Sequence, residues 1–371
     1  MTENLDRFGM GARFVPADKL SEANLGPLQQ LVGEWETVGN LTFTEKDESG
    51  AEVTKPVAAG WNTISVPGGG GFIFEVIPYK ENLKFSAVAV QAGNRGPVIN
   101  GTQFDQEIFG LFYEQQVISV CNTTECVSMG FGAGKVIHAE TGLFLYITNY
   151  NGNFTIARLG TVPHGNALLA LGKSFDVADP VFEPISTLPT LIGGGQVSRL
   201  GYNEQITLYK NFKEFDKVNP NSFLETSLAQ VLGQDKLTGV TVLDMATNHA
   251  DATGGILNIP FIQSNVTATN LKATFWLETI NNSPQADFLQ YSQTVNLVFP
   301  AVNTIDPVVW PHITIATLKR MPPKPAPVPK QAENTNDLAQ PATAQPVSPA
   351  AEPEGKAFSA DLDSTPGVPQ L

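Results

Sequence analysis

Residues 289–299 alternate between two sets of side chains over eleven positions. Leu289, Tyr291, Gln293, Val295, Leu297 and Phe299 interleave with Gln290, Ser292, Thr294 and Asn296. A side-chain period of two marks a strand with one buried face. Segments 72–79 (FIFEVIPY), 143–148, 205–209 and 271–280 (LKATFWLETI) are further strand candidates, rich in β-branched and aromatic residues. Turn residues separate them: the glycine run at 68–71, Gly93-Asn94 and residues 149–153. Helices are few. Residues 21–32 place Leu25, Leu28, Leu31 and Val32 at helical spacing behind Ser21, with Gly33 as a stop. Ser222 and Glu225 form a capping box ahead of Leu224, Leu228, Val231 and Leu232, with Gly233 closing that helix. Many short strands with one or two helices predict a mainly β protein, a single antiparallel up-and-down barrel, because closure removes exposed sheet edges.

The chain has 371 residues, 42% of them hydrophobic, enough to bury a sizeable core. Its formal net charge is −14. Nucleic-acid binding needs a basic surface, so that class is not expected, and anionic membrane surfaces are disfavoured too. The first residues lack a basic start followed by an apolar core. No run of about 18 apolar residues offers a spanning helix. These features lead to the expectation of a soluble, cytoplasmic protein without a membrane span. Cys121 and Cys126 are then expected as reduced thiols near a hairpin, with a disulfide as the alternative. Two thiols alone cannot complete a structural zinc site. Three stretches emerge: an N-terminal extension (1–20), a barrel domain (21–321), and a Pro- and Ala-rich tail (322–371) expected to be disordered.

No metalloprotease, serine-hydrolase or dinucleotide motif occurs. Gly130-Phe131-Gly132-Ala133-Gly134-Lys135 lacks phosphate-loop spacing, with Val136 where Ser or Thr is needed, and reads as a turn. Four histidines remain. His249 lies in polar, loop-like text, and a structural hydrogen bond accounts for His138. His164 sits in a Pro- and Gly-bounded turn and is a candidate pocket-edge group. His312 opens the strand 312–318, with Thr314, Ala316 and Leu318 on its own face and Ile313 and Ile315 on the other. A neutral imidazole at a barrel mouth is a suitable iron ligand.

The order of these segments resembles the nitrobindins, haem-binding barrels similar in shape to fatty-acid-binding proteins and lipocalins. The carriers are Leu289 to Thr294, Pro311-His312-Ile313 and Thr317 to Arg320 near the end, and LGPLQQLVGEW (25–35) at the front. Gly60-Trp61-Asn62-Thr63-Ile64, YKENLKF (79–85) and Ile137 to Phe144 lie between. The likeness covers roughly 24–170 and 271–321, with about twenty extra residues between Gly39 and Gly60 and an insertion at 173–270. Thr37 stands where the family has a glycine, and Asn62 where it has proline. The resemblance implies a haem b cofactor with His312 as the iron ligand and Thr63 beside it; Trp35, Trp61 and His164 are candidate pocket residues. It also implies reaction with nitric oxide and a peroxynitrite isomerase activity. The alternative is a haem-free, lipocalin-like carrier of a fatty acid or other apolar small molecule. A third reading is an enzyme for an apolar substrate that uses His164, Asn166 or Glu278.

Overall fold

A computed structural model describes residues 24–68, 71–148, 154–192, 202–249, 254–299 and 307–323. The extension 1–20 and nearly all of the tail lie outside the described residues. The strands are β1 (Gly33–Thr37), β2 (Thr42–Lys46), β3 (Glu52–Pro56), β4 (Gly60–Gly68), β5 (Gly71–Asn94), β6 (Val98–Ile99), β7 (Thr102–Gln103), β8 (Gln106–Ser119), β9 (Val136–Ile147), β10 (Ile156–Val162), β11 (Asn166–Val177), β12 (Thr190–Leu191), β13 (Leu237–Ala246), β14 (Gly255–Asn258), β15 (Thr267–Ile280), β16 (Phe288–Phe299) and β17 (Val308–Arg320). Helices are α1 (Thr124–Ser128), α2 (Tyr202–Leu208), α3 (Ser222–Leu232) and α4 (Pro260–Gln263), preceded by a 3-10 turn at Gly26–Leu31.

Antiparallel pairing runs β17-β16-β15-β13-β11-β10-β9-β8-β5-β4, and β4 pairs back onto β17, closing a barrel of ten strands. Two wall positions are written in two pieces. β1 pairs Trp35 with Arg320 and with Leu83, while β4 pairs Thr63 with Ile313 and with Val76. Both therefore occupy the place between β17 and β5, one beyond the other. The extra residues between them form the β2–β3 hairpin. In the same way β11 pairs its residues Leu171–Val177 with β13 and Asn166–Leu169 with β14. Residues 173–270 thus supply wall strands as well as the segments outside the wall.

Period-two alternation separates two cores. Inside lie Trp35, Tyr79, Leu83, Phe85, Tyr113, Phe144, Phe275, Leu277, Tyr291, Ala316 and Leu318. One end is plugged by the 3-10 turn, with Leu25, Leu28 and Leu31 fully buried. Arg320 staples that plug: its guanidinium donates to Val32 O (2.6 Å), Gln30 O (2.5 Å) and Ala286 O (2.7 Å) and lies 4.2 Å over the Trp35 ring. The outer core holds Trp61, Trp276, Ile313 and Ile315 beneath Ile206, Phe215, Phe223 and Leu224. Trp61 stacks on Phe215 at 4.6 Å, and Phe182 meets Trp276 edge-on at 4.9 Å. Cladding of this face explains why 271–280 is apolar on both sides of the strand.

Three local expectations are corrected. Residues 205–209 belong to helix α2 and its end: Ile206 is fully buried and Tyr209, three residues on, packs edge-on to Phe74, a helical spacing that five residues cannot distinguish from alternation. Ser222 is the first residue of α3 rather than its cap; Asn221 precedes it and Ser222 Oγ donates to Asn219 O. Cys121 and Cys126 are bonded to each other, both fully buried beside Ile77, instead of remaining free thiols. Reduced thiols were expected from a reducing compartment; a bonded pair is favoured by oxidising surroundings. Among the described residues no helix is long and apolar enough to cross a membrane.

Candidate functional site

The open end of the barrel encloses a cavity of about 380 Å³. Apolar side chains from nine strands and from α4 line it, among them Ile64, Ile77, Val117, Leu271, Val295 and Ile262. Into this lining project His312 and Thr314 from β17, Asn62 from β4, His138 and Glu140 from β9, and His164 from the β10–β11 turn. In the ring order β10 lies five strands from β17 in either direction, so His164 stands across the barrel from His312.

His312 follows the predicted face of its strand: His312 and Thr314 face the cavity, and Ile313 and Ile315 enter the outer core. Its Nδ1 lies 3.1 Å from Thr63 O. A carbonyl can only accept, so Nδ1 carries the proton and Nε2 holds a lone pair. Asn62 Nδ2 is 3.5 Å from that Nε2 and 3.4 Å from Thr314 Oγ1. Burial, reinforced by the charge of His138, pulls the imidazole down to about 4, against the opposing Thr63 hydrogen bond. His312 is therefore neutral across the physiological range.

Alternation along β4 decides which neighbour faces the ligand space. Asn62 lines the cavity, while the Thr63 hydroxyl is fully buried and donates to Ile313 O at 3.4 Å. Thr63 thus meets the site through its backbone carbonyl, and Asn62 presents the side chain. Asn62 Oδ1 is buried without a hydrogen-bond partner. Trp35 sits in the plugged end, its Nε1 donating to Leu31 O at 2.7 Å, and Trp61 stands on the outer face. His164 and Asn166 do line the cavity. Glu278 does not: it is fully buried with both carboxylate oxygens unpartnered, and burial raises it well above the ordinary range, so it is a neutral acid.

His138 has the structural hydrogen bond expected of it, but sequence inspection missed its place in the cavity lining and the cavity floor. His138 Nε2 is 3.4 Å from Glu140 Oε2, and its ring lies 5.8 Å from that of His164. Desolvation and the nearby His138 pull His164 below its ordinary value. Beneath them Arg158 donates to Glu140 Oε1 (2.9 Å), Gln293 Oε1 (2.6 Å) and Tyr113 Oη (3.2 Å), and Tyr113 also donates to Glu140. Burial would raise Glu140, but Arg158 and then His138 overcome it and hold the carboxylate at about 2. A second network lies alongside. Glu81 accepts from Tyr291 Oη (2.6 Å) and Gln115 Nε2 (2.7 Å), and Tyr79 bridges Tyr291 (2.8 Å) and Ile315 O (2.9 Å). Burial pushes Glu81 up to about 7 despite those donors. His249, expected in solvent, is half-buried, with Nε2 2.7 Å from Leu171 O and its ring against Phe154.

The donor set suits an apolar ligand that carries a Lewis-acidic centre. One neutral imidazole is held from behind, as histidine ligands of metals are, and its front nitrogen meets Asn62 Nδ2 at the long distance of 3.5 Å. The walls are apolar, and the floor's anion is already neutralised by Arg158. Among the described residues no group of three His, Cys, Asp or Glu side chains could hold a bare metal ion.

No protein-family model matches the chain, and no curated protein matches it. Among solved structures, the crystal structure of Rv2717c from M. tuberculosis is similar at 15% identity and a TM-score of 0.36; the match covers 81% of this chain and 100% of that one.

Proposed function

We propose that this barrel binds haem in its mouth-end cavity, with His312 Nε2 as the iron ligand. The observation that carries it is the His312 imidazole: neutral, its Nδ1–H committed to Thr63 O, and its Nε2 approached, among the described residues, by Asn62 Nδ2 at 3.5 Å. The segments resembling nitrobindins support the same assignment, and the lining residues supply dry walls. A haem held by His312 would supply the iron chemistry by which nitrobindins act on nitric oxide and convert peroxynitrite to nitrate. The chain's own part is to fix the tautomer and ring plane of His312, to keep that nitrogen unprotonated, and to exclude water. His138 and His164 stand on the far wall, facing the space opposite His312.

The lining contains no Lys or Arg, and the Arg158 guanidinium beneath it is committed to Glu140, Gln293 and Tyr113, so the haem propionates, like the carboxylate of a fatty acid, would stay in solvent at the mouth. A haem-free apolar cargo, a fatty acid or a neutral lipid, is the rival; it leaves His312 Nε2 unused, and the unpartnered Asn62 Oδ1 offers a neutral cargo an acceptor. Hemin titration followed by absorption separates the two. The expected result is a shifted Soret band at one equivalent, lost in His312→Ala. An unchanged spectrum in wild type, or an equal shift in the variant, overturns the proposal. Extraction of a single fatty acid or neutral lipid and no porphyrin from the purified protein turns the assignment to the carrier.

A further inference from the structure

The rim of the cavity at β14 and α4 is two-sided. Ile256 and Ile262 line the cavity, while Leu257, Ile259 and Phe261, between them in sequence, are 77%, 50% and 74% exposed. Leu169, exposed on β11, lies diagonally from Leu257, because β11 pairs Ala167 with Leu257 and Leu169 with Gly255. The segment is firmly seated. Ile259 N donates to Gly165 O at 3.0 Å, and Asn258 bonds Asn166 Nδ2 (2.7 Å), Ala268 O (2.9 Å) and Ala268 N (3.1 Å). Gly165, with φ +104°, leaves room for Ile259; a Cβ there would come within 2.7 Å of that side chain. These apolar groups are therefore held outward by a hydrogen-bonded frame.

Charge identifies what the rim fits. In a chain of net charge −14, residues 252–271 contain no Asp, Glu, Lys or Arg, and neither do residues 159–172 of the facing turn. Gln263, Ser264, Asn265 and Thr269, all exposed, surround the apolar side chains with neutral hydrogen-bonding groups. An uncharged apolar patch ringed by amides and hydroxyls matches a zwitterionic lipid surface, where a charged partner would gain nothing. The patch is also continuous with the mouth of a cavity for an apolar ligand, and such ligands reside in bilayers rather than in water.

We infer that Leu257, Ile259 and Phe261 dock the barrel mouth on a zwitterionic bilayer, so that the apolar ligand passes between membrane and cavity without crossing water. This rests on the cavity binding an apolar ligand, but not on that ligand being haem. The test is co-sedimentation of the full chain with phosphatidylcholine vesicles, for wild type and for Leu257→Ser/Phe261→Ser. Circular dichroism and the hemin titration are run on both. Binding of wild type is expected to be insensitive to salt and to fall about tenfold or more in the double variant, whose fold and spectrum stay unchanged because both side chains are exposed. Wild type that stays in the supernatant, or a variant that binds equally, overturns the inference. A wild-type dimer in light scattering that the variant abolishes, without vesicle binding, overturns it in favour of self-association. Vesicle binding without a Soret shift sinks the haem assignment and leaves the docking surface standing.

Discussion

At the scale of single residues, the site depends on which protons the folded barrel keeps. The face of β17 that carries His312 was legible because the strand alternates cleanly: Ile313 and Ile315 could only share the face opposite His312 and Thr314. The choice between Asn62 and Thr63 was not, because a strand's parity is set by its partner's register, here Thr63 opposite Ile313. His138 was equally hidden, since Glu140, Arg158 and His164 give it meaning only after three strands meet. Glu81 offers a test of this interior. Its folded value, raised from 4.5 to about 7, means the native state holds the proton more tightly than the unfolded chain does. Its stabilising contribution is full below pH 4.5 and disappears as pH rises through about 7, amounting to roughly 3 kcal/mol. Glu81→Gln is expected to remove that decline. Urea denaturation between pH 4.5 and 8 should show a less negative slope in the variant, and equal slopes refute the assignment.

At the scale of elements, the barrel strands announced themselves and the cladding did not. Segments 72–79, 271–280 and 289–299 all lie in wall strands, β5, β15 and β16. The α2 segment misled because five residues of mixed character satisfy either period, and only its docking on Phe74 selects the helix. Apolar residues on the second face of β15 and β17 were the available signal for a covering layer. Trp61 measures what that layer contributes: it stacks on Phe215, meets Phe212 and Phe223 edge-on, and donates from Nε1 to Ala58 O. Trp61→Ala should cost about 3–5 kcal/mol through the cavity it leaves. Because Trp61 faces outward, ligand affinity should be unchanged wherever the variant is folded. A calorimetric loss of affinity comparable to that of His312→Ala would place Trp61 in the site instead.

At the scale of the whole molecule, the interior is stacked in three tiers: a ligand cavity at the mouth, a polar belt, and an apolar plug of leucines and Trp35. The belt does what wall hydrogen bonds cannot, because it joins strands that are not neighbours. Arg158 on β10 reaches Gln293 on β16, four places round the ring, as well as Glu140 on β9 and Tyr113 on β8. Its guanidinium also lies over the Tyr113, Phe144 and Phe275 rings at 5.4, 5.7 and 5.9 Å, tying the belt to the plug. Such a pair is worth little against an apolar replacement of both partners, yet removal of one partner strands a buried charge. Arg158→Met should therefore destabilise the barrel by about 3–5 kcal/mol in chemical denaturation, chiefly through the uncompensated Glu140 carboxylate. Adding Glu140→Gln to that variant should recover a large part of the loss, since a neutral amide has no charge to strand. If the double variant is no more stable than Arg158→Met, the belt works through ring packing alone, and the floor of the cavity owes its neutrality to something other than this pair.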